Sequence, residues 1–293
     1  MKNMDENIKI LSTYLKKSSS NMSSYGKFHL LKNNYLNIEE GMNSGNFIKM
    51  NKIRLFKSYI SFILQVLIWK KEIFTNEFIL NYKKICKKQN RVFNYDLIIH
   101  SCVLKLLKKN QILKDNICVI GDGKANFIHG IYNLNKVKKI YSVNLPQALI
   151  QDYLILKSFG IIDSKLIKIV NSEKDFESDG YKIFLIPAEN KRFLNSKNIN
   201  LFVNMASFQE MPLSETHAYI EIAKSNSAFL YSNNREEKIM YDNVKIKYSD
   251  YGLKKDGTLI FENEPSFYKY FYSSKFPFIH KKDGKMIHSL VKY

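Results

Sequence analysis

The sequence predicts an α/β fold: a mostly parallel sheet with helices on both faces, preceded by a helical N-terminal region. Two observations carry this. From residue 117 onward, short apolar runs rich in β-branched residues alternate with helical stretches, the pattern of strand–helix units whose strands pair in parallel. Before residue 112, apolar residues instead recur at helical spacing in two segments, near 51–73 and 95–110.

The elements follow in chain order. The first forty residues are polar and rich in serine and asparagine, with weak helical tendency. Leu97, Ile98, Cys102, Leu104, Leu106 and Leu107 give the second segment one apolar face, which ends at Lys108-Lys109-Asn110. Residues 1–112 are therefore read as a helical region that covers the substrate or mediates dimerisation, and 113–293 as the α/β domain. In that domain Ile117–Ile120 is a strand, 124–134 a helix and Lys139–Val143 a second strand. A helix over 146–159 opens with Pro146, whose fixed φ and missing N–H suit a first helical turn. Ile183–Ile186 and Leu201–Val203 are the third and fourth strands. A helix over 214–225 is expected to start on a Ser214 cap, and Ala228–Tyr231 is the fifth strand. Thr258–Phe261 and Met286–Val291 supply one or two late strands, with an antiparallel arrangement open to them.

Composition narrows the function. With 45% hydrophobic and 14% aromatic residues, the chain has ample material for a core. The formal charge is +19, yet only Arg54, Arg91, Arg192 and Arg235 among 46 basic residues are arginines. Bidentate phosphate and base recognition favours arginine. The scattered lysines are read as a solvated surface, and no nucleic-acid partner is expected; an anionic membrane surface or an anionic substrate suits a basic face equally well. Cys86, Cys102 and Cys118 show no metal spacing, so no metal is expected. An odd cysteine count, with no signal-like run in the first twenty residues, points to a reducing cytoplasm. The longest apolar run, Tyr59–Trp69, is too short to span a bilayer.

The run ICVIGDGKANF (117–127) poses the main chemical question. A phosphate-cradling loop needs GxxxxGK followed by Ser or Thr, but Ala125 follows Gly123-Lys124 and no glycine stands at 118. The dinucleotide fingerprint wants a third glycine at 126, where Asn126 stands. What remains is G-x-G-x-small, Gly121, Gly123 and Ala125, a spacing that suits S-adenosylmethionine. In that reading the glycines admit the ligand to the backbone, and the next helix N-terminus faces its carboxylate. Asn144, at the end of the second strand, is placed for a ribose diol or is simply a turn residue before Pro146.

On VIGDGKANF (119–127), VNLPQALI (143–150), VNMASFQEMP (203–212), LYSNNREEK (230–238) and PFIHKKDGKMIHSLV (277–291), the chain resembles the sugar O-methyltransferases of bacterial surface-glycan gene clusters. These belong to the class I S-adenosylmethionine-dependent, Rossmann-like superfamily. The resemblance covers about 117–293, and SFQEM and NREEK are its distinctive parts. The family commonly has glycine where Ala125 stands and aspartate where Asn144 stands. The resemblance implies an S-adenosylmethionine-dependent methyltransferase domain over 113–293, acting on a sugar, nucleotide-sugar or glycan hydroxyl in polysaccharide biosynthesis.

Methyl transfer to a hydroxyl requires an aligned oxygen and a group to take its proton. Glu210, after the fourth strand, is the first candidate base, or else a carboxylate that caps the next helix or pairs with a lysine. His217, from the next helix, is the second candidate, with a surface position as the alternative. Gly121, Asp122, Gly123, Asn144, Leu145, Ala188, Asn204 and Ser207 are the candidate cofactor-binding residues. Gln209 and Arg235 are candidates for the acceptor, Arg235 either binding an anionic group or pairing with Glu236 or Glu237. His129 is expected to pack against the sheet, and the late aromatics from Phe267 to Phe278 either pack or stack on sugar. Two rival functions stay open, an RNA methyltransferase and a non-catalytic binding protein on a methyltransferase fold; homo-oligomerisation is compatible with all three.

Overall fold

The computed structural model describes residues 6–17, 51–195, 197–240, 243–272, 276, 278–282 and 284–293. The polar stretch 18–50 lies outside these residues. The N-terminal region contains α1 (Glu6–Lys17), α2 (Lys52–Ile68), the single turn α3 (Lys70–Ile73), α4 (Glu77–Lys88) and α5 (Tyr95–Lys109). Asparagines start three of these helices. Asn51 accepts from the Arg54 amide, Asn76 from Phe78 and Asn94 from Leu97, each satisfying an orphan amide of a first turn. Helix α4 is not expected from the apolar pattern read above, although Phe78, Ile79, Tyr82, Ile85 and Cys86 form its buried face.

The second half supplies β1 (Asp115–Ile120), α6 (Asn126–Ile131), β2 (Val137–Asn144), α7 (Pro146–Ser158), β3 (Ile167–Ile169), β4 (Ile183–Pro187) and β5 (Leu201–Met205). Then come α8 (Leu213–Ser225), β6 (Phe229–Arg235), a ribbon of β7 (Glu237–Ile239) and β8 (Lys245–Lys247), and β9 (Thr258–Asn263). The turn α9 (Ser266–Lys269), a ribbon of β10 (Tyr270–Tyr272) and β11 (Ile279–Lys281), and β12 (Met286–Lys292) close the chain. Eight strands form one sheet in the order β3-β4-β2-β1-β5-β6-β12-β9. All pairs from β3 to β6 are parallel, and β12 alone runs against its neighbours β6 and β9. This is the Rossmann-like, mostly parallel sheet that the alternating pattern predicts. The late strands both form, and the three-residue β3 is an unexpected edge.

Alternation along the strands builds a core on each face. Ile117 and Val119 of β1 join α4, α5, α6 and α7 in one apolar cluster. Cys118 and Ile120 join Tyr219, Ile220 and Ala223 of α8 in the other. The helices of the N-terminal region thus share a core with the sheet. All three cysteines are buried and free. Among the described residues, no helix is long and apolar enough to cross a membrane.

Two expected helix starts are corrected. The helix after the glycine turn begins at Asn126 rather than 124, because Lys124 and Ala125 hold left-handed φ of 65° and 52°. Ser214 does not cap α8: Pro212 occupies the cap position, with its fixed φ of −56°, and Ser214 falls inside the first turn. Pro146 opens α7 as expected.

Helix α6 meets the N-terminal helices at Gly130, where a Cβ would stand 2.6 Å from Leu104 Cδ1 and also strike Tyr82. Gly130→Ala should therefore lower unfolding free energy by about 1–3 kcal/mol, the usual cost of overpacking, in urea denaturation followed by circular dichroism.

Candidate active site

The chain turns from β2 on one side of β1 to β5 on the other, so the sheet's switch point lies between β1 and β5. Ligands of open α/β sheets bind at the carboxyl ends of strands at such a point. The glycine turn occupies this place. Gly121, at φ 72°, donates its amide to Val143 O at 2.9 Å. Gly123, Lys124 and Ala125 then follow with φ of 51°, 65° and 52°. Two consecutive non-glycine residues in the left-handed region are uncommon, and the second stands where the resembling family carries glycine.

Two carboxylates hold this conformation. Asp152, fully buried on α7, accepts the Ala125 amide at 2.9 Å. Asp122, inside the turn, accepts the Phe127 and Ile128 amides at 2.7 and 2.9 Å and so caps α6. The expectation that the N-terminus of this helix faces a ligand carboxylate is corrected, because the protein's own carboxylate is there. Asn144 donates to Asp152 at 3.3 Å and accepts the Leu145 amide at 2.9 Å. The buried acid thus sits beside Asn144, eight positions along the chain. It is a site residue that sequence reading missed, although a lone aspartate among Leu149, Ile150, Tyr153 and Leu156 is a visible anomaly.

Cations balance these acids. Arg91, 1% exposed, donates to Asn126 Oδ1 at 2.8 Å, and Tyr82 donates to the Asn126 carbonyl at 3.1 Å. The Lys124 ammonium is buried with no hydrogen-bond partner, and burial pushes it down to about 8. Burial, reinforced by Asp152, pushes Asp122 up to about 8, and burial pushes Asp152 up to about 7. His129 is buried as expected, but its ring lies between Ala125 O and Gln89 of the N-terminal region, and no sheet residue is among these partners.

The two most distinctive runs meet on the next strands. Ser207 donates to Ile120 O at 2.8 Å and accepts from Asn204 at 2.5 Å; Asn234 donates to Asn204 at 2.9 Å. Gln209 donates its amide to Asn234 Oδ1 and accepts the Arg235 amide, at 3.2 and 2.8 Å. The polar groups of NMASFQ are therefore used against SNNR, and they brace the wall beside the turn. Ser207 lies over Gly121, where a Cβ would come within 2.5 Å of its Oγ.

The remaining candidates separate. Glu210 pairs with Lys238 at 3.1 Å, the lysine pairing that its sequence leaves open. His217 is exposed, with Nε2 3.1 Å from Asp250 O. Ala188 is half-buried just beyond β4. Arg235 does not take the ion pairs allowed for it, since Glu236 pairs with Lys285 and Glu237 with Lys245. Among the late aromatics, Phe267 and Tyr268 are buried, and His288 fits between Tyr231 and Asn263. No cluster of three or more His, Cys, Asp or Glu that could hold a metal occurs among the described residues.

No family model and no curated protein matches the chain. Among solved structures it is similar to a SAM-dependent methyltransferase from Aquifex aeolicus, with TM-score 0.39 and 12% identity over 64% of this chain and 89% of that one. It is also similar to the methyltransferase domain of bacterial CtHen1, with TM-score 0.44 and 9% identity over 68% and 100% of the two chains. A third is M. capricolum TrmK, in complex with S-adenosylhomocysteine, with TM-score 0.36 and 14% identity over 63% and 67%. All three likenesses are distant.

Gly121→Ala combines a left-handed φ with a clash on Ser207. It should cost about 2–4 kcal/mol in chemical denaturation. A carboxylate raised from 3.8 binds its proton more tightly in the folded chain, so that stabilisation is complete below about pH 4 and disappears as pH rises through the folded value. Thermal stability should therefore fall progressively from about pH 4 and level off above about pH 7 to 8, and fall less in Asp152→Asn, as read by calorimetric melting at several pH values.

Proposed function

We propose that the chain is an S-adenosylmethionine-dependent O-methyltransferase that methylates a sugar hydroxyl in surface-glycan biosynthesis. The observation that carries this reading is the occupied glycine turn. The amides of Ala125, Phe127 and Ile128 already serve Asp152 and Asp122. A phosphate would find no free amide at these positions and would meet two carboxyl groups. A nucleoside that carries no phosphate suits the same surroundings, because it makes no demand on those amides. The turn also leaves room for it, since a Cβ on Gly123 would meet nothing within 4 Å.

In this reading Gly121, Asp122 and Gly123 face the cofactor, Asn144 and Leu145 serve the ribose, Ala188 borders the adenine, and Asn204 and Ser207 form the adjoining wall. When bound, the cofactor supplies a sulfonium methyl already activated for displacement. The protein's share is to align the acceptor oxygen and to remove its proton. Glu210, oriented by Lys238, takes that proton, with His217 as the alternative base; Gln209 and Arg235 hold the acceptor. The sugar rests on the SFQEM and NREEK resemblance, whose residues interlock through Asn204, Asn234, Gln209 and Arg235.

Calorimetric titration with S-adenosylmethionine should show binding to the wild-type protein, and undetectable binding would leave the non-catalytic reading in its place. With a confirmed acceptor, Glu210→Gln should lower kcat by about 10²–10⁴ while the KM for the cofactor changes little. Unchanged turnover would remove Glu210 as the base.

A further inference from the structure

Past the wall formed by Asn204 and Asn234, the same edge of the sheet carries a basic cavity of about 300 Å³. Arg235 ends β6 opposite Met286, the first residue of β12, and Met286 lines this cavity. Tyr268, Lys269, Lys281, Lys282 and Lys285 line it too, and among the described residues Glu264 is the one carboxylate in the lining. The volume is at the lower end of the usual range for small-molecule sites.

The cations differ in how they are held. Arg235 is anchored by its backbone on Gln209, and its guanidinium lies alongside Gly284, Nη1 3.5 Å from where a Cβ would stand. Its two neighbouring glutamates are engaged with lysines, and among the described residues its guanidinium forms no ion pair. Lys282 is half-buried, its ammonium 4.3 Å from the Tyr268 ring centre and 5.2 Å from that of Tyr95. Burial pushes it down to about 8, with Asp96 opposing that shift and Arg235 adding to it. The desolvated Lys282 lines the cavity with Lys269 and Lys281, Lys285 is shared with Glu236, and the Arg235 fork stands beside the cavity at Gly284. That is more positive charge than a neutral sugar or a single carboxylate calls for, and it matches the several oxygens of a phosphate or diphosphate.

We infer that this cavity is the acceptor's phosphate subsite: the methylated sugar is joined to a phosphate or diphosphate, which Arg235 and Lys282 hold. The inference rests on the methyltransferase reading above and names its acceptor class. It also sorts the two ligands by charge. The phosphate-free cofactor goes to the turn whose amides are already taken, and the anionic acceptor to the edge with clustered cations.

The test is calorimetric titration of inorganic pyrophosphate, at low salt, into wild type, Arg235→Gln, Lys282→Met and a Lys88→Gln/Lys165→Gln control on exposed lysines. Each cavity variant should weaken binding at least about tenfold, and the control less than about twofold. Arg235 is half-buried and braced through its backbone, so its variant keeps the test decisive should Lys282→Met fail to fold. Undetectable binding to wild type overturns the inference, as does an equal loss in the control. Tighter binding of a single-stranded RNA oligonucleotide, with a steep salt dependence and an equal loss in the control, overturns it in favour of a nucleic-acid face. Titrating S-adenosylmethionine into wild type keeps the two readings separable. Pyrophosphate binding without cofactor binding strikes the methyltransferase reading, and the reverse strikes this one.

Discussion

The pair of carboxylates beneath the glycine turn is the constraint on which the site depends. Lys124 and Ala125 in the left-handed region cost on the order of 1–2 kcal/mol each. The hydrogen bond from the Ala125 amide to Asp152, about 1.5–3 kcal/mol where the acid is charged, offsets part of that cost. The backbone geometry of the turn and the burial of Asp152 are therefore one feature. Without the acid the left-handed run has no reason to persist, and without the run the acid has no donors. In the proposed reading the same bonds bear on the ligand class, because amides that serve the protein's own carboxyl groups are withdrawn from phosphate.

The N-terminal region belongs to this arrangement. Arg91 and Tyr82 both grip Asn126, the first residue of α6, and Gln89 meets His129 one turn further on. Gly130 lets α6 lie against Tyr82 and Leu104 without a side chain between them. The far side of the turn is thus shaped by residues that precede the α/β half in sequence. Tyr95 and Asp96, at the start of α5, do the same at the basic cavity, where they face Lys282.

Much of this was legible in the residues, and the rest was not for physical reasons. Apolar runs of four or more, such as Ile117–Ile120 and Ile183–Ile186, announce strands because burial on both faces demands them. Pro146 announces a helix start because its ring permits little else there. The three residues of β3 give no periodicity to read. The conformation of Ala125 is invisible in an alanine, since it is imposed by Asp152 from another helix. The meeting of SFQEM with NREEK follows from β5 and β6 lying side by side, whereas the partners of Glu210 and Arg235 are set by tertiary contact. The basic cavity joins segments that are adjacent only once β12 has inserted.

That insertion also bears on how the chain folds. β6 pairs with β5 on one side, but its other neighbour, β12, is synthesised some fifty residues later, and β9 reaches the sheet only through β12. Until then β6 is an open edge of a growing sheet, the kind of surface on which nascent chains pair wrongly. Its outer half reads Ser232-Asn233-Asn234-Arg235, polar residues that are buried or half-buried in the finished protein. Of these, Arg235 puts a charge at the end of the waiting edge, which disfavours pairing with another strand there. A segment read above as binding-site wall is, during synthesis, also a guard against premature association.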